Sequence, residues 1–269
     1  MTGRAISHAV ARTAEFYDEW TERFVAGFGT TLQAGFLKPE MTAKEEDAAV
    51  SACLLAARAG VRDGDRLLDA GCGVGGPAIA IADGHPGCTI DGVTVSTVQV
   101  ALARRAVVDL GLEPRVSISQ ADYHNLPFAD DSFDVALFLE SCGYSPDRLA
   151  LFGEAARVVR SGGRIYVKDV FALPGPLSAS QQHDLDRFDT MWRLARSPTI
   201  PDVEDGLVRA GCHIELSGAL ANVGTARFVA AMVEPDPDTL FRLNELGQNF
   251  LMYSEEMPLF FGEVRARVA

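Results

Sequence analysis

Leu67-Leu68-Asp69-Ala70-Gly71-Cys72-Gly73-Val74-Gly75-Gly76 is the segment from which the architecture of this chain can be worked out. An apolar run ends at an acid, closely spaced glycines follow, and Pro77-Ala78-Ile79-Ala80-Ile81-Ala82 continues as the first turns of a helix. Strand, tight turn and helix N-terminus in that order make a cradle for a nucleotide-like ligand. The first-turn N–H groups are free, and a glycine backbone lets the ligand come close. Pro77 suits this place because a first-turn N–H has no intrahelical partner.

From Arg66 onward strands and helices alternate, which predicts an α/β fold with a Rossmann-like, doubly wound and mostly parallel sheet. The strands are read at Arg66–Asp69, Thr89–Val93, Val116–Gln120, Phe133–Leu139 and Arg164–Val170. Helices fit at Pro77–Asp83, Ser96–Leu110, Pro146–Val159 and Pro201–Ala210, and Gly162-Gly163 reads as a helix stop. His213–Leu220 and Ala226–Val233 are candidates for closing antiparallel strands, the second equally for a helix, and Pro237–Ala266 reads as helical.

Before the motif, Phe16, Tyr17, Trp20, Phe24 and Phe28 recur at helical spacing, and Thr42 with Glu45 forms a capping box for a helix running to about Ala59. Residues 1–60 are therefore expected to form an N-terminal helical cap and residues 61–269 the Rossmann-like domain, with a cap insertion around 171–200.

A chain of 269 residues, 48% of them apolar, can bury one large core. Its formal charge of −13 and lack of a dense Lys/Arg run disfavour nucleic acid, whose phosphates need a basic surface. No apolar stretch reaches the roughly 20 residues of a bilayer span, and the start lacks a signal-peptide core. A cytoplasmic protein is expected. The five cysteines have no C-x-x-C spacing and no histidine pair has ligand spacing, so neither a disulfide framework nor a metal site is indicated.

Asp69 separates the ligand classes. A pyrophosphate on the helix N-terminus would be repelled by a carboxylate before the first glycine, whereas the cationic amino group of S-adenosylmethionine would be attracted. Asp69, Gly71, Gly73 and Gly75, in the order D-x-G-x-G-x-G, resemble motif I of the class I methyltransferases. That resemblance implies a seven-stranded sheet and S-adenosyl-L-methionine as cofactor, held by Asp69, Gly71 and Gly73.

Gly92-Val93-Thr94-Val95-Ser96-x-x-Gln99 resembles the G-V-T-L-S-x-x-Q segment of methyltransferases acting on carbon–carbon double bonds, such as cyclopropane fatty acid synthases and geranyl diphosphate C-methyltransferases. By that likeness Thr94 and Gln99 would bond the ribose or its neighbours, while the resemblance to class I methyltransferases implies Asp122 on the adenine amino group, Tyr123 packed on the ring and Leu139 beside the cofactor. Ser96 also reads as an N-cap. Asp130-Asp131-Ser132-Phe133-Asp134 is spelled like a magnesium-diphosphate box. It precedes an apolar strand instead of lying on a helix, so a turn is predicted.

Glu140 follows the fourth strand, where a parallel sheet opens onto its crevice. Glu140-Ser141-x-x-Tyr144 is similar to a segment of the geranyl diphosphate enzymes, and Phe16-Tyr17-Asp18 with Gly27-Phe28-Gly29 resembles the N-terminal element of the sterol, tocopherol and geranyl diphosphate methyltransferases. The resemblance implies methylation of an alkene carbon of a prenyl diphosphate or prenylated metabolite. Glu140 would be electrostatic partner or base to a carbocation, and Tyr17, Phe16, Trp20 and Tyr144 would supply aromatic faces.

A diphosphate would need cationic or magnesium-assisted holding, for which Arg187, Arg193, Arg196, Lys168 and His183 are the candidates. The alternative is O- or N-methylation of a natural-product metabolite, with His124 as the histidine nearest the crevice. Assembly into a homo-oligomer is compatible with either.

Overall fold

The computed structural model describes residues 3–32, 44–220 and 258–269. Two helices, α1 (Gly3–Phe28) and α2 (Lys44–Ala59), precede the alternation β1 (Arg66–Ala70), α3 (Gly76–Gly84), β2 (Thr89–Thr94), α4 (Thr97–Asp109), β3 (Val116–Gln120) and β4 (Phe133–Leu139). A 3-10 turn (Cys142–Tyr144) leads to α5 (Arg148–Val158), β5 (Val159–Ala172), α6 (Ala179–Met191), α7 (Ile200–Arg209), β6 (Cys212–Ala219) and β7 (Leu259–Val268).

The seven strands form one sheet in the order β3-β2-β1-β4-β5-β7-β6. Neighbours from β3 to β5 pair in parallel, and β7 runs antiparallel between β5 and β6. This is the seven-stranded, mostly parallel arrangement expected. Strand order reverses between β1 and β4 relative to the chain, and the crevice over their C-terminal ends is where such sheets bind ligands.

Alternation along each strand feeds two cores. Leu67, Ile90, Val135, Leu137 and Tyr166 face α2, α3 and α4, while Leu68, Val93, Ala136, Phe138 and Val167 face α5 and α7. Full burial of both Leu67 and Leu68 contributes roughly 1.5–3 kcal/mol for each side chain. It also explains why the motif strand is a continuous apolar run.

Three segments differ from the sequence reading. Leu259–Val268 is a strand, not the end of a helix. Its Glu, Ala and Arg residues favour a helix but its Phe and Val residues favour a strand, and pairing with β5 on one side and β6 on the other settles the choice. Gly162-Gly163 lies inside β5 and is not the helix stop, since the helix already ends at Val158, one residue from the end read for it. The N-terminal aromatic helix, which the aromatic spacing places from Ala14 to roughly Phe28, starts at Gly3. Thr42, Ala226–Val233 and the greater part of 237–266 lie outside the described residues.

Candidate active site

The loop after β1 turns back under the end of β2, where Gly71 and Cys72 N–H groups both donate to the Val93 carbonyl at 2.9 Å. Gly71 has φ +91°, and a Cβ there would stand 2.5 Å from that of Ser141. Ser141 Oγ donates to the Ala70 carbonyl at 2.6 Å, so the β4 end is stitched onto the glycine loop. Asp69 is 1% exposed and its Oδ2 has no hydrogen-bond partner. Burial raises its pKa to about 7. An orphaned, desolvated carboxylate is costly unless a cation completes it. The residues therefore fit the amino group of S-adenosylmethionine, and Asp69 with Gly71, Gly73, Pro77 and Leu139 lines a small recess of about 40 Å³ at that point.

The recess adjoins a cavity of about 150 Å³ over the strand ends. Thr94, Gln99, Asp122, Tyr123, Leu139, Glu140, Tyr144 and Tyr17 all line it. Thr94 Oγ1 donates to Gln99 Oε1 at 2.6 Å, and Ser96, the N-cap of α4, accepts from Gln99 N at 3.1 Å. Asp91 is turned away onto Arg66 at 2.8 Å, which leaves Thr94 as the polar group at the β2 end. Asp122 Oδ1 accepts from the His124 backbone N–H at 2.9 Å and lies 2.7 Å from His124 Nδ1. An adenine amino group would therefore be taken by Oδ2. Tyr123 donates to the Ser141 carbonyl at 3.0 Å and sets its ring against Phe138.

Helix α1 closes the cavity from above. Tyr17 Oη and Tyr144 Oη are 2.6 Å apart, and Asp18 accepts from Ser96 Oγ, Thr97 Oγ1 and Val98 N at 2.6, 3.1 and 3.1 Å. Phe24 packs on Trp192 with ring centroids 5.8 Å apart, which joins α1 to the end of α6. Phe188, Trp192 and Leu194 complete the apolar wall.

Glu140 accepts from Lys168 Nζ, and its own N–H donates to the Lys168 carbonyl at 2.6 Å. Asp169, the next residue on β5, also lines the cavity. Burial raises its pKa to about 6, against hydrogen bonds from Cys142. Its backbone donors are Cys142 N at 3.1 Å and Val170 N at 2.8 Å. Sequence reasoning missed Asp169. Its position at the C-terminal end of a parallel strand, beside Lys168, was the available signal.

Several expected residues are not brought together. Phe16 and Trp20 lie on a separate surface groove with Arg12, His183, Arg187 and Arg193. Arg196 pairs with Asp202 at 2.7 Å. The cavity wall carries Asp122, Glu140 and Asp169 but neither Arg nor Lys among its described residues. Asp130 pairs with Arg157 and Asp134 with Arg160, at 2.7 and 2.5 Å, and Asp131 has φ +56°, so these acids build the turn into β4. No helix among the described residues is long and apolar enough to cross a membrane.

A family model described as "Methyltransferase domain" matches residues 68–167. The chain is 36% identical over 171 residues to 27-O-demethylrifamycin SV methyltransferase of Amycolatopsis mediterranei, covering 64% of this chain and 62% of that one. It is 34% identical over 148 residues to 24-methylenesterol C-methyltransferase 2 of Oryza sativa subsp. japonica, covering 53% and 40%. With O-methyltransferase resE of Aspergillus sclerotiorum the identity is 32% over 185 residues, covering 65% and 68%. The match to the Amycolatopsis relative thus spans 62% of that protein's length.

Among solved structures, the [4+2]-cyclase SpnF superposes with a TM-score of 0.76 at 26% identity over 95% of each chain. The geranyl diphosphate C-methyltransferase of Streptomyces coelicolor A3(2), crystallised with Mg2+, geranyl diphosphate and S-adenosyl-L-homocysteine, gives 0.75 at 16% identity over 97% and 98%, a likeness of fold alone. With 68% of a known O-methyltransferase matched at 32% identity and a methyltransferase-domain model matching residues 68–167, the chain belongs to the S-adenosylmethionine-dependent methyltransferase family.

Proposed function

We propose that this protein methylates an alkene carbon of a neutral, largely apolar acceptor such as a prenylated metabolite. The observation that carries the reading is the pairing of two carboxylates, Glu140 and Asp169, with Tyr17 and Tyr144 in a cavity whose described wall has no Arg or Lys. Bound S-adenosylmethionine supplies an electrophilic methyl group. Adding that methyl to one alkene carbon leaves a positive charge on its neighbour, and a C–H bond beside the cation then breaks to restore the double bond.

Two carboxylates divide those tasks. Glu140, held as an ion pair by Lys168, is a fixed anion toward the developing cation. Asp169, with its pKa raised to about 6 by burial, takes the proton, since a base poised near the working pH is the effective one. The aromatic rings of Tyr17, Tyr144 and Trp192 exclude water and face a cation favourably. A diphosphate head group would meet like charge in this cavity. Its recognition by Arg187, Arg193 and His183 is not supported by their place on the outer groove.

O-methylation is the second reading. It is favoured by the Asp122–His124 pair at the cavity edge and by the names of two relatives. There a hydroxyl proton would pass to imidazole Nε2, which now lies 2.8 Å from Ser145 Oγ.

Transfer of a 13C-methyl group from labelled cofactor to a panel of prenylated metabolites, prenyl diphosphates, phenols and amines separates the readings. A carbon-bound methyl signal on a neutral acceptor supports the first. An oxygen-bound methyl as the sole product establishes the second.

A further inference from the structure

We propose that Lys168 is a positioning residue for Glu140: from β5 it fixes both the backbone and the carboxylate of the residue that ends β4. The inference rests on the reading of Glu140 as the fixed anion of the site.

Glu140 is one of three non-glycine residues among those described with positive φ, at +56°. A side chain in that region carries strain that the surroundings must hold, and such residues cluster where geometry serves function. Lys168 supplies the hold twice. Its carbonyl accepts from Glu140 N–H at 2.6 Å and its ammonium donates to Glu140 Oε1. Lys168 and Leu139 are register partners across β4 and β5, so Glu140 leaves the sheet one residue past the last pair and turns back onto it.

Lys168 is itself fully buried, with Nζ 4.9 Å above the Phe261 ring. The other acid near it on β7 is Glu263, its register partner. Glu263 is bound by Arg58 and by the Tyr166 hydroxyl. Glu140, whose side chain is 21% exposed, and the buried Glu263 are thus paired with different basic residues, Lys168 and Arg58. A buried ion pair adds little net stability over well-packed apolar groups, because desolvation offsets attraction. Its presence beneath a strained strand end is better explained by orientation than by stability.

The test compares Lys168→Met, Lys168→Arg, Glu140→Gln and the double Lys168→Met/Glu140→Gln variant. Lys168→Met is expected to lower kcat at least tenfold while binding of S-adenosyl-L-homocysteine, measured by calorimetry, stays within about threefold of the parent. In the Glu140→Gln background the same change is expected to alter kcat less than about threefold, the signature of a residue acting through another. The double variant also removes the uncompensated charge, so it keeps the test available if Lys168→Met alone does not fold. Lys168→Arg, which keeps the charge and loses the fit, is expected to fall between.

A crystal structure of Lys168→Met in which the Glu140 carboxylate leaves its parent position supports the proposal irrespective of the acceptor. Unchanged Glu140 geometry, or an equal loss of kcat from Lys168→Met in both backgrounds, overturns it. Undiminished turnover of Glu140→Gln overturns the mechanistic reading instead and leaves the geometric hold to be judged from the crystal structure.

Discussion

The hydroxyls of Tyr17 and Tyr144 lie 2.6 Å apart, joining the N-terminal helix to the turn after β4 across 127 residues of chain. Burial raises Tyr17 to about 12, so the link is between neutral hydroxyls at physiological pH. Removing one partner leaves the other desolvated and unsatisfied, at about 1–3 kcal/mol. Tyr17→Phe is expected to lower stability by that order in denaturant titration. It should also raise KM for the acceptor more than the dissociation constant of the cofactor, because the lost hydroxyl link holds the two rings that line the acceptor side of the cavity.

Asp18 ties the same helix to the cofactor side through Ser96, Thr97 and Val98. Ser96 in turn caps α4 and positions Gln99 N, so losing Asp18 loosens the Thr94–Gln99 pair. Asp18→Ala is expected to weaken cofactor binding about tenfold, equivalent to about 1.4 kcal/mol, in a calorimetric titration. Binding within twofold of the parent would separate the helix from the cofactor site.

Asp69 gives cofactor binding a pH dependence with a definite sign. Its pKa in the folded protein is raised to about 7, above the unfolded value. The folded protein without ligand therefore holds an extra proton at mildly acid pH, and the stability linked to it is lost as pH rises through about 7. A ligand ammonium favours the charged carboxylate, so affinity for S-adenosyl-L-homocysteine should increase between pH 6 and 7.5, with proton release seen as a buffer-dependent calorimetric enthalpy. Asp69→Asn should bind weakly and without that pH slope.

Asp169 should set the acid limb of turnover. Its pKa is raised to about 6 by burial, and the base form is needed, so kcat is expected to climb as pH rises through about 6. Asp169→Asn is expected to lose roughly 10²–10⁴-fold in kcat while keeping cofactor affinity. A pH–rate profile that is flat from pH 5 to 7 in the parent would assign the proton to another group.

Gly71→Ala tests the loop. The new Cβ would stand 2.5 Å from Ser141 Cβ on a backbone at φ +91°, so either the β4 end or the loop must shift. Loss of measurable cofactor binding with a lowered melting temperature is expected. The companion change Ser141→Gly, which removes the opposing side chain, should restore part of both when combined with it.

Local chemistry made the nucleotide-type cradle legible. An apolar strand, an acid, glycines and the proline that leads the helix are encoded within eleven consecutive residues, Leu67 to Pro77, and need no partner to be recognised. The same holds for β2 to β4, whose apolar alternation stands between turn residues, and for the place of Glu140 at a strand end. The strand Leu259–Val268 was not read, although Val264, Ala266 and Val268 alternate with Arg265 and Arg267. Its Leu, Glu, Ala and Arg residues favour a helix and its Phe and Val residues a strand, and hydrogen bonding to β5 and β6, from segments about fifty to a hundred residues away, decides between them.

The chemistry of the site depends on the same long-range terms. Which carboxylate is paired, Glu140 on Lys168, and which is desolvated, Asp169, follows from how β4 and β5 align and from what covers them. The removal of His183, Arg187 and Arg193 to an outer groove follows from the packing of α6 beside α1. Short-range preference fixes where strands, turns and helices begin. Burial and charge pairing arise when distant segments pack together, and these decide what the cavity can do.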